Sequence, residues 1–220
     1  MIDAATNAAP LGRVARKRVE VRKRLMLAGF ELAGRRGLNE FAVADLTEAA
    51  DCSKGAFYSH FESRDAFIAE LIAEGVETVG EALDHHGESV SPDEALAVGL
   101  RYALTLAQQQ PKWGRFVAAV ARSSFHMNMG FTQRLARDLA RGRLVGSFVY
   151  DDPSSALLLA SGVFLAGVVG AELDALLPAT PSEATRLTLI GLGVPTDRAR
   201  ILTEIPLPEL RFRSIVVSFC

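Results

Sequence analysis

The residues best suited to binding another molecule lie together between Ser53 and Phe61. Ser53 is a favourable N-cap for a short helix that begins at Lys54. The small residues Gly55 and Ala56 let the backbone of that helix approach a partner closely, and Lys54 can reach a base edge or a phosphate. Residue types in this order favour a helix that enters the major groove of DNA.

Another short amphipathic helix precedes this one over residues Val43–Ala50, and a break at Asp51 and Cys52 separates the two. Two short helices joined by a tight turn predict a helix-turn-helix, in which the first helix lies across the DNA backbone and presents the second. Two-helix corners also occur as plain packing motifs. The pattern by itself therefore leaves a purely structural role open.

Charge is unevenly distributed along the 220 residues, although the net charge is only −2. Residues 1–36 contain nine Lys or Arg against three acidic residues, and the acidic residues outnumber the basic ones in the rest of the chain. A basic head on an acidic body fits a module that binds a polyanion, and it also fits a solvated, charged helix. The first 12 residues are small and polar, so residues 1–18 are predicted to form a flexible basic arm.

No combination of side chains in the sequence predicts catalysis, a cofactor or a bound metal. Phosphate-binding Gly-Lys-Ser/Thr loops, nucleophile elbows and His-Glu-x-x-His strings are absent. His85, His86 and His126 have no set of carboxylates or thiols at ligand spacing. An α-helical enzyme that uses the helix-turn-helix only as a structural corner stays open as an alternative function.

The cysteine usage and the first residues indicate a compartment. Cys52 and Cys220 make no disulfide framework, which favours a reducing environment. The first residues carry no apolar segment of the kind found in a signal peptide. The expected location is the cytoplasm.

Helical periodicity accounts for nearly the whole chain, and sustained apolar/polar alternation is absent before residue 211. The predicted fold class is therefore all-α. The fourth helix is predicted to begin with Ser63 as its N-cap. It is long, and Gly75 and Gly80 are candidate bending points within it. Helices are expected at residues 19–36, 43–50, 53–60, 63–85, 92–109, 111–125, 131–143, 153–177, 182–192 and 196–204.

The stretch from Pro153 to Ala171 contains no charged residue and approaches the length of a membrane span. Gly162, Ala166 and Gly170 recur at every fourth position, which forms a stripe that lets two helices approach closely. Acidic residues flank the stretch and aromatic belts are missing, which favours burial in a core and a subunit interface. A membrane-associated interaction protein remains a second alternative.

Residues 20–72 resemble the tetracycline-repressor (TetR) family of bacterial transcription regulators. The resemblance rests on a first helix that ends at Gly37 and on three motifs, of which the second is highly specific. The motifs are Asp45-Leu46-x-x-Ala49-Ala50, Ser53-x-Gly55-x-x-Tyr58-x-His60-Phe61 and Ser63-Arg64-x-x-Phe67.

The resemblance implies a division of the chain. A three-helix DNA-binding domain would cover residues 19–66, and the fourth helix would join it to a helical effector-binding and dimerisation domain over residues 67–206. The tail, residues 207–220, has no predicted structure.

The resemblance also implies which residues contact double-stranded DNA. Those that would face the groove are Ser53, Lys54, Gly55 and Ala56. Those that would contact phosphates or the DNA backbone are Tyr58, His60 and Arg64. The basic arm is similar to extensions that reach an adjacent groove or phosphate in some members, here through Arg16, Lys17 and Arg18.

Two departures from the family pattern lie at the ends of the second helix. Asp51 stands in the turn where the family usually has Gly, and because Asp tolerates a left-handed backbone, we expect the turn to survive. Phe41 and Ala42 occupy the positions where Ser or Thr usually caps the second helix and contacts a phosphate. That cap is therefore predicted to be lost.

One helix-turn-helix covers half of a DNA site, so specificity normally needs a dimer with its two recognition helices ~34–36 Å apart on a palindrome. In the family, the last two long helices of each subunit form the dimer interface. The stripe of Gly162, Ala166 and Gly170, with residues 182–192, is the best candidate here, although the stripe also fits packing within one subunit.

The family's body usually holds a small-molecule cavity gated by the fourth helix. The resemblance thus predicts a homodimeric repressor that a small apolar or amphipathic effector releases from its operator. Each candidate lining residue also fits an ordinary core position. The candidates are Tyr102, Trp113, Phe116, Phe125, His126, Met127, Met129, Phe131 and Phe164.

Overall fold

The computed structural model describes residues 12–123, 131–172 and 180–210. All regular elements in these ranges are helical, which confirms the all-α fold class. One segment, Ala73–Glu77, is π-helical. The α-helices are α1 (Arg13–Arg36), α2 (Val43–Ala49), α3 (Lys54–Tyr58), α4 (Arg64–Ile72), α5 (Thr78–Gly87), α6 (Pro92–Gln109), α7 (Pro111–Arg122), α8 (Phe131–Leu144), α9 (Pro153–Glu172), α10 (Pro181–Gly191) and α11 (Thr196–Glu204).

Local signals determine where α3 and α4 begin. The Ser53 hydroxyl accepts a hydrogen bond from the Ala56 backbone N–H at 3.1 Å, and the Ser63 hydroxyl accepts one from Ala66 at 3.0 Å. Both N-caps are thus confirmed. Asp51, in the turn between α2 and α3, has a φ of 47°, so it adopts the left-handed backbone that was expected of it.

The start of α2 is stabilised without the usual hydroxyl cap. The Asp45 carboxylate accepts a hydrogen bond from the Ala42 N–H at 2.8 Å and another from Arg36 at 3.2 Å. These two donors, the Ala42 N–H first, hold the pKa of Asp45 below 3.8. The first-turn carboxylate thus supplies one half of a capping box, while the hydroxyl half that Ser or Thr would supply is absent, as predicted.

The first helix is longer than predicted. It begins at Arg13, so residues 13–18 are its first turns and not part of a flexible arm. Arg and Lys favour helices, and nothing after Gly12 interrupts the backbone, which accounts for the extension. Arg18 donates from Nη2 to the carbonyl of Ser59 at 3.2 Å and so ties this end of α1 to α3. Residues 1–11 of the predicted arm lie outside the described residues.

The predicted fourth helix is divided by the π-helical segment. Gly75 is buried there, and a Cβ at this position would lie 2.5 Å from a ring carbon of Phe116. The Trp113 indole N–H donates to the Gly75 carbonyl at 2.7 Å. The Thr78 hydroxyl donates to the Ala73 carbonyl at 3.0 Å. The segment is thus held from α7 and from the start of α5.

A single apolar cluster connects the helix-turn-helix to the body. It contains buried residues from α1 to α4 and continues through α6, α7 and α9. Phe30 of α1 packs against Phe116 of α7 with ring centroids 4.6 Å apart. A second cluster joins α6, α8 and α9 to α10 and α11 through Leu189, Leu192 and Leu202.

The helix α9 is only partly covered by the rest of the chain. Among the described residues, the one helix long and apolar enough to cross a membrane is Pro153–Gly170, of which 22% is buried. Leu158 is 72% exposed, and a Cβ added at Gly162 would meet no atom within 4 Å. A wide apolar face of α9 is therefore available for contact with another molecule.

Two arginines attach α11 to α6. Arg198 donates to the carboxylate of Asp93 at 2.8 Å, and Asp93 is 7% exposed. Burial by itself would raise the pKa of Asp93, but hydrogen bonds from Arg198 and Ser91 and the charge of Arg198 outweigh it, so the pKa is lowered from 3.8. Arg101 donates to the carbonyl of Ile205 at 2.6 Å, just beyond the end of α11.

Replacing Asp93 with Asn should lower the free energy of unfolding at pH 7 by about 1–3 kcal/mol, because Arg198 loses its charged partner. A lowered folded-state pKa contributes stability above the unfolded value of 3.8, and this contribution is lost as the pH falls through the folded value. Urea unfolding should give a constant difference between parent and variant above about pH 5 and a shrinking one below pH 4. Equal stability at pH 7 would contradict the assigned role of the pair.

Candidate nucleic-acid interface and adjoining cavity

The short helix α3 is anchored by one aromatic side chain. Phe57 has no exposed surface and packs against Phe61 and Phe67, with ring centroids 5.4 Å and 5.7 Å away. This anchor leaves Lys54 exposed and Tyr58 57% exposed. The helix therefore presents a cation and a phenol to the outside from a fixed base.

Gly55 is exposed, and nothing inside the protein requires a glycine there. A Cβ at this position would meet only the Ser53 hydroxyl, at 3.8 Å, which is an ordinary contact. Glycine inside a helix costs roughly 0.5–1 kcal/mol relative to alanine. Packing inside the protein gives no reason for this cost. The backbone of α3 at Gly55 is therefore suited to close approach by a partner molecule.

His60 differs from the other candidates because it is half-buried. Burial, and then the charges of Arg18 and Arg22, lower the pKa of His60 below 6.5. At neutral pH the ring is therefore uncharged and can offer a phosphate one N–H donor. The phosphate contacts of Tyr58 and His60 stay predictions.

Arg64 has an internal structural role. Its Nε donates to the carbonyl of Phe41 at 2.9 Å, and its Nη2 donates to the carbonyl of Leu38. The guanidinium also lies over the Phe41 ring, 5.3 Å from the centroid. Arg64 thus holds the loop before α2. A contact with the DNA backbone would be additional to this role and stays a prediction.

The remaining basic candidates lie on α1. Arg16 and Lys17 are exposed in its first turns, on the same helix as Arg18.

Cys52, in the turn between α2 and α3, is half-buried, and burial raises the pKa of its thiol. A raised pKa disfavours the thiolate, so Cys52 is poorly suited to redox sensing.

A cavity of about 800 Å³ lies beside the π-helical segment. Trp113, Phe131 and Phe164 are among its lining residues, and the rings of Phe131 and Phe164 stack with centroids 4.2 Å apart. The volume and the largely apolar wall are typical of small-molecule sites.

Two other candidates are placed elsewhere by the structure. Phe116 lies in the core and not at the cavity, because its ring fills the space that Gly75 leaves open. Tyr102 is partly buried against the same core, and the cavity lining among the described residues does not include it. Phe125, His126, Met127 and Met129 lie outside the described residues.

Sequence reasoning missed the charged residues of the cavity wall. Asp84 accepts hydrogen bonds from Arg134 and Arg137, at 2.8 Å and 2.7 Å. Arg134 also donates to Glu77 at 2.5 Å. The available signal was spacing: Arg134 and Arg137 are three residues apart, which places them on one face of a helix.

The family model described as "Bacterial regulatory proteins, tetR family" matches residues 25–71. The HTH-type transcriptional repressor DhaR of Mycobacterium sp. (strain GP1) is 42% identical over 57 residues. That alignment covers 26% of this chain and 29% of DhaR. The family-model match therefore falls on the helix-turn-helix and its immediate neighbours.

The similarity of structure extends further. RolR in complex with resorcinol is 26% identical and gives a TM-score of 0.62, with 90% of this chain and 100% of RolR covered. SmeT, the repressor of the Stenotrophomonas maltophilia multidrug efflux pump SmeDEF, has the same fold at 18% identity, with a TM-score of 0.63 over 78% of this chain and 91% of SmeT. Residues 25–71 therefore match the N-terminal domain of the tetR family of bacterial regulatory proteins, and the all-helical body of the chain shares the fold of RolR and SmeT.

Proposed function

We propose that this protein is a homodimeric, ligand-responsive transcriptional repressor of the cytoplasm. It binds a palindromic DNA operator through its helix-turn-helix and is released by a small-molecule effector. The relatives support this function: DhaR is named a transcriptional repressor, and the structure of RolR is a complex with resorcinol as its ligand. We propose no catalytic activity, since the family is one of regulators.

In this proposal α3 lies in the major groove, with Ser53, Lys54, Gly55 and Ala56 at the base edges. Tyr58 and His60 contact phosphates, and Arg16 and Lys17 neutralise the backbone from α1. The observation that carries the proposal is the exposed Gly55, which the protein's own packing does not require. Close approach to a flat, rigid partner such as a base pair supplies the reason for it.

The proposed dimer forms through α9 and α10. The exposed small residues Gly162 and Ala166 let the two copies of α9 approach closely, and Leu158 of α9 and Leu187 of α10 are exposed. A helix with this apolar content and 22% burial in one protomer needs a partner in water. A second copy is favoured over a bilayer because Asp151 and Asp152 precede the helix.

The effector would act through the helix that begins at the DNA-binding unit and passes the cavity. This helix includes α4, the π-helical segment and α5, and Glu77 of the segment lines the cavity. A ligand that favours one arrangement of this helix changes DNA affinity by about 1–3 kcal/mol, as coupled sites typically do.

Replacing Gly55 with Ala separates DNA contact from folding. The free energy of unfolding should rise by about 0.5–1 kcal/mol, since Ala favours the helix and has room inside the protein. Affinity for the operator, selected from a random DNA pool, should fall about tenfold, because the added methyl group meets the DNA. Thermal unfolding and fluorescence anisotropy measure the two effects.

Gly99→Ala is the matched control, since a Cβ there would meet no atom within 4 Å, just as the one at Gly55 makes only an ordinary contact, and the position is on α6, far along the chain from α3. It should stabilise the fold equally and leave DNA affinity unchanged. If Gly55→Ala bound the operator as tightly as the parent, α3 would not be the helix that approaches the bases.

The dimer is tested by Ala166→Glu, which places a charge in the proposed interface. The parent should sediment as a dimer and the variant as a monomer at micromolar concentration, because an unpaired buried charge costs several kcal/mol. Val19→Glu, on the exposed surface of α1, should leave the dimer intact. A parent that stays monomeric, or that requires detergent to remain in solution, would exclude this interface.

A further inference from the structure

The charged residues at the cavity form one connected network between two helices. Asp84 of α5 receives Nε of Arg134 at one carboxylate oxygen and Nη2 of Arg137 at the other. Arg134 reaches on to Glu77, and Arg137 reaches Asp138 at 2.9 Å. All five residues line the cavity. The network therefore forms the polar part of a wall that is otherwise mostly apolar.

The backbone leaves space for this network. A Cβ at Gly80 of α5 would lie 2.9 Å from Nη1 of Arg134 and 3.0 Å from its Cζ. Glycine at this position lets the guanidinium lie flat against α5, between Glu77 and Asp84. Gly80 thus allows Arg134 to take its position. This contact accounts for a glycine at residue 80 without the helix bending that was predicted there.

The charge balance of the wall disfavours an anionic ligand. Among the described residues, three arginines and four carboxylates line the cavity, and each arginine already donates to an oxygen of the protein. These residues are Arg134, Arg137, Arg141, Glu77, Asp84, Glu88 and Asp138. A carboxylate ligand would lie beside these carboxylates, which outnumber the arginines and would repel it.

A neutral hydroxyl group fits the same wall without displacing anything. Each oxygen of Asp84 accepts one hydrogen bond from an arginine, and an ionised carboxylate has about four lone-pair sites in all. A ligand O–H can therefore donate to Asp84 while the ion pairs stay intact. A phenol is suited to this position because its O–H is a strong donor to a charged acceptor.

The apolar part of the cavity wall favours an aromatic, apolar ligand. Trp113 and the stacked pair Phe131 and Phe164 present aromatic surface, and the neighbouring positions are mostly aliphatic. Aromatic rings pack on such surfaces by offset-stacked or edge-to-face contact. At about 800 Å³ the cavity has room for a ring with an apolar substituent.

We propose that this cavity binds neutral phenols with an apolar substituent, and that the phenol O–H donates to Asp84 between Arg134 and Arg137. The inference rests on the effector role proposed above for the cavity and names the chemical class of the effector. Asp84 is then the residue that determines specificity for a neutral donor over an anion.

The test compares three probes of matched size with the purified dimer and without DNA: 4-propylphenol, 4-propylbenzoate and propylbenzene. Trp113, the single tryptophan of the chain, lines the cavity, so its fluorescence reports binding directly. The phenol should bind at least tenfold more tightly than either other probe. Equal or tighter binding of the benzoate or of propylbenzene, or no binding of the phenol, would overturn the proposal.

Asp84→Asn gives a sharper result, because it removes the negative charge between two arginines. The phenol should bind about tenfold more weakly, propylbenzene should be unaffected, and the benzoate should bind more tightly than it does to the parent. A merely structural role would weaken all three alike and would overturn the proposal. Glu204→Gln, at an exposed carboxylate of α11 that is not among the residues lining the cavity, is the control and should change none of them.

Different results would contradict the proposed ligand class and the proposed regulatory function. If 4-propylphenol binds as expected but leaves operator affinity unchanged, the cavity takes phenols and the proposed release mechanism is wrong. If the operator is bound but the phenol does not occupy the cavity, the ligand class is wrong and the DNA-binding function stands.

Discussion

The hydrogen bond from the Trp113 indole to the Gly75 carbonyl is the contact on which the connection between the two ends of the molecule depends. In a π-helical turn the backbone pairs i with i+5, which inserts one residue into the helix and is stable only where neighbouring groups support it. Trp113 supplies a donor to this segment, and Phe116, one turn further along α7, fills the space above Gly75. Both supports come from one helix.

That helix, α7, is also packed against the DNA-binding unit. Phe116 contacts Phe30 of α1 as well as the π-helical segment. A movement of the segment is therefore transmitted to α1 through the Phe116 ring. On the opposite side, Arg134 of α8 holds Glu77 at the end of the segment. The segment is thus held between the core of the helix-turn-helix unit and the polar wall of the cavity. Closely packed interiors transmit such displacements because they have little free volume to absorb them.

Sequence reasoning was most successful where structure is determined locally. Ser53 and Ser63 were expected to cap helices and do so, because a cap depends on a hydroxyl and on the next three residues. The left-handed Asp51 was predicted for the same reason. The start of α1 at Arg13 was missed, since its first turns have few apolar residues to reveal a helix.

Features that depend on contacts between residues far apart in the sequence could not be predicted from the sequence alone. Gly75 was recognised as a weak point in a helix, but the π-helical turn there is set by two rings that lie about 40 residues away in sequence. The cavity was expected to be lined by aromatic residues, and its network of Asp84, Arg134 and Arg137 joins α5 to α8 across 50 residues. No local sequence pattern predicts that α5 and α8 come into contact.

Hydrogen–deuterium exchange, followed by mass spectrometry with and without bound operator, tests the connection between the two ends most directly. Binding of DNA should change exchange in residues 72–79, at the π-helical segment, as well as in residues 53–61 at the DNA surface, since α4 and α7 link the two regions. A change confined to residues 53–61 and their immediate neighbours would contradict the account, because the segment would then be insensitive to what the helix-turn-helix binds.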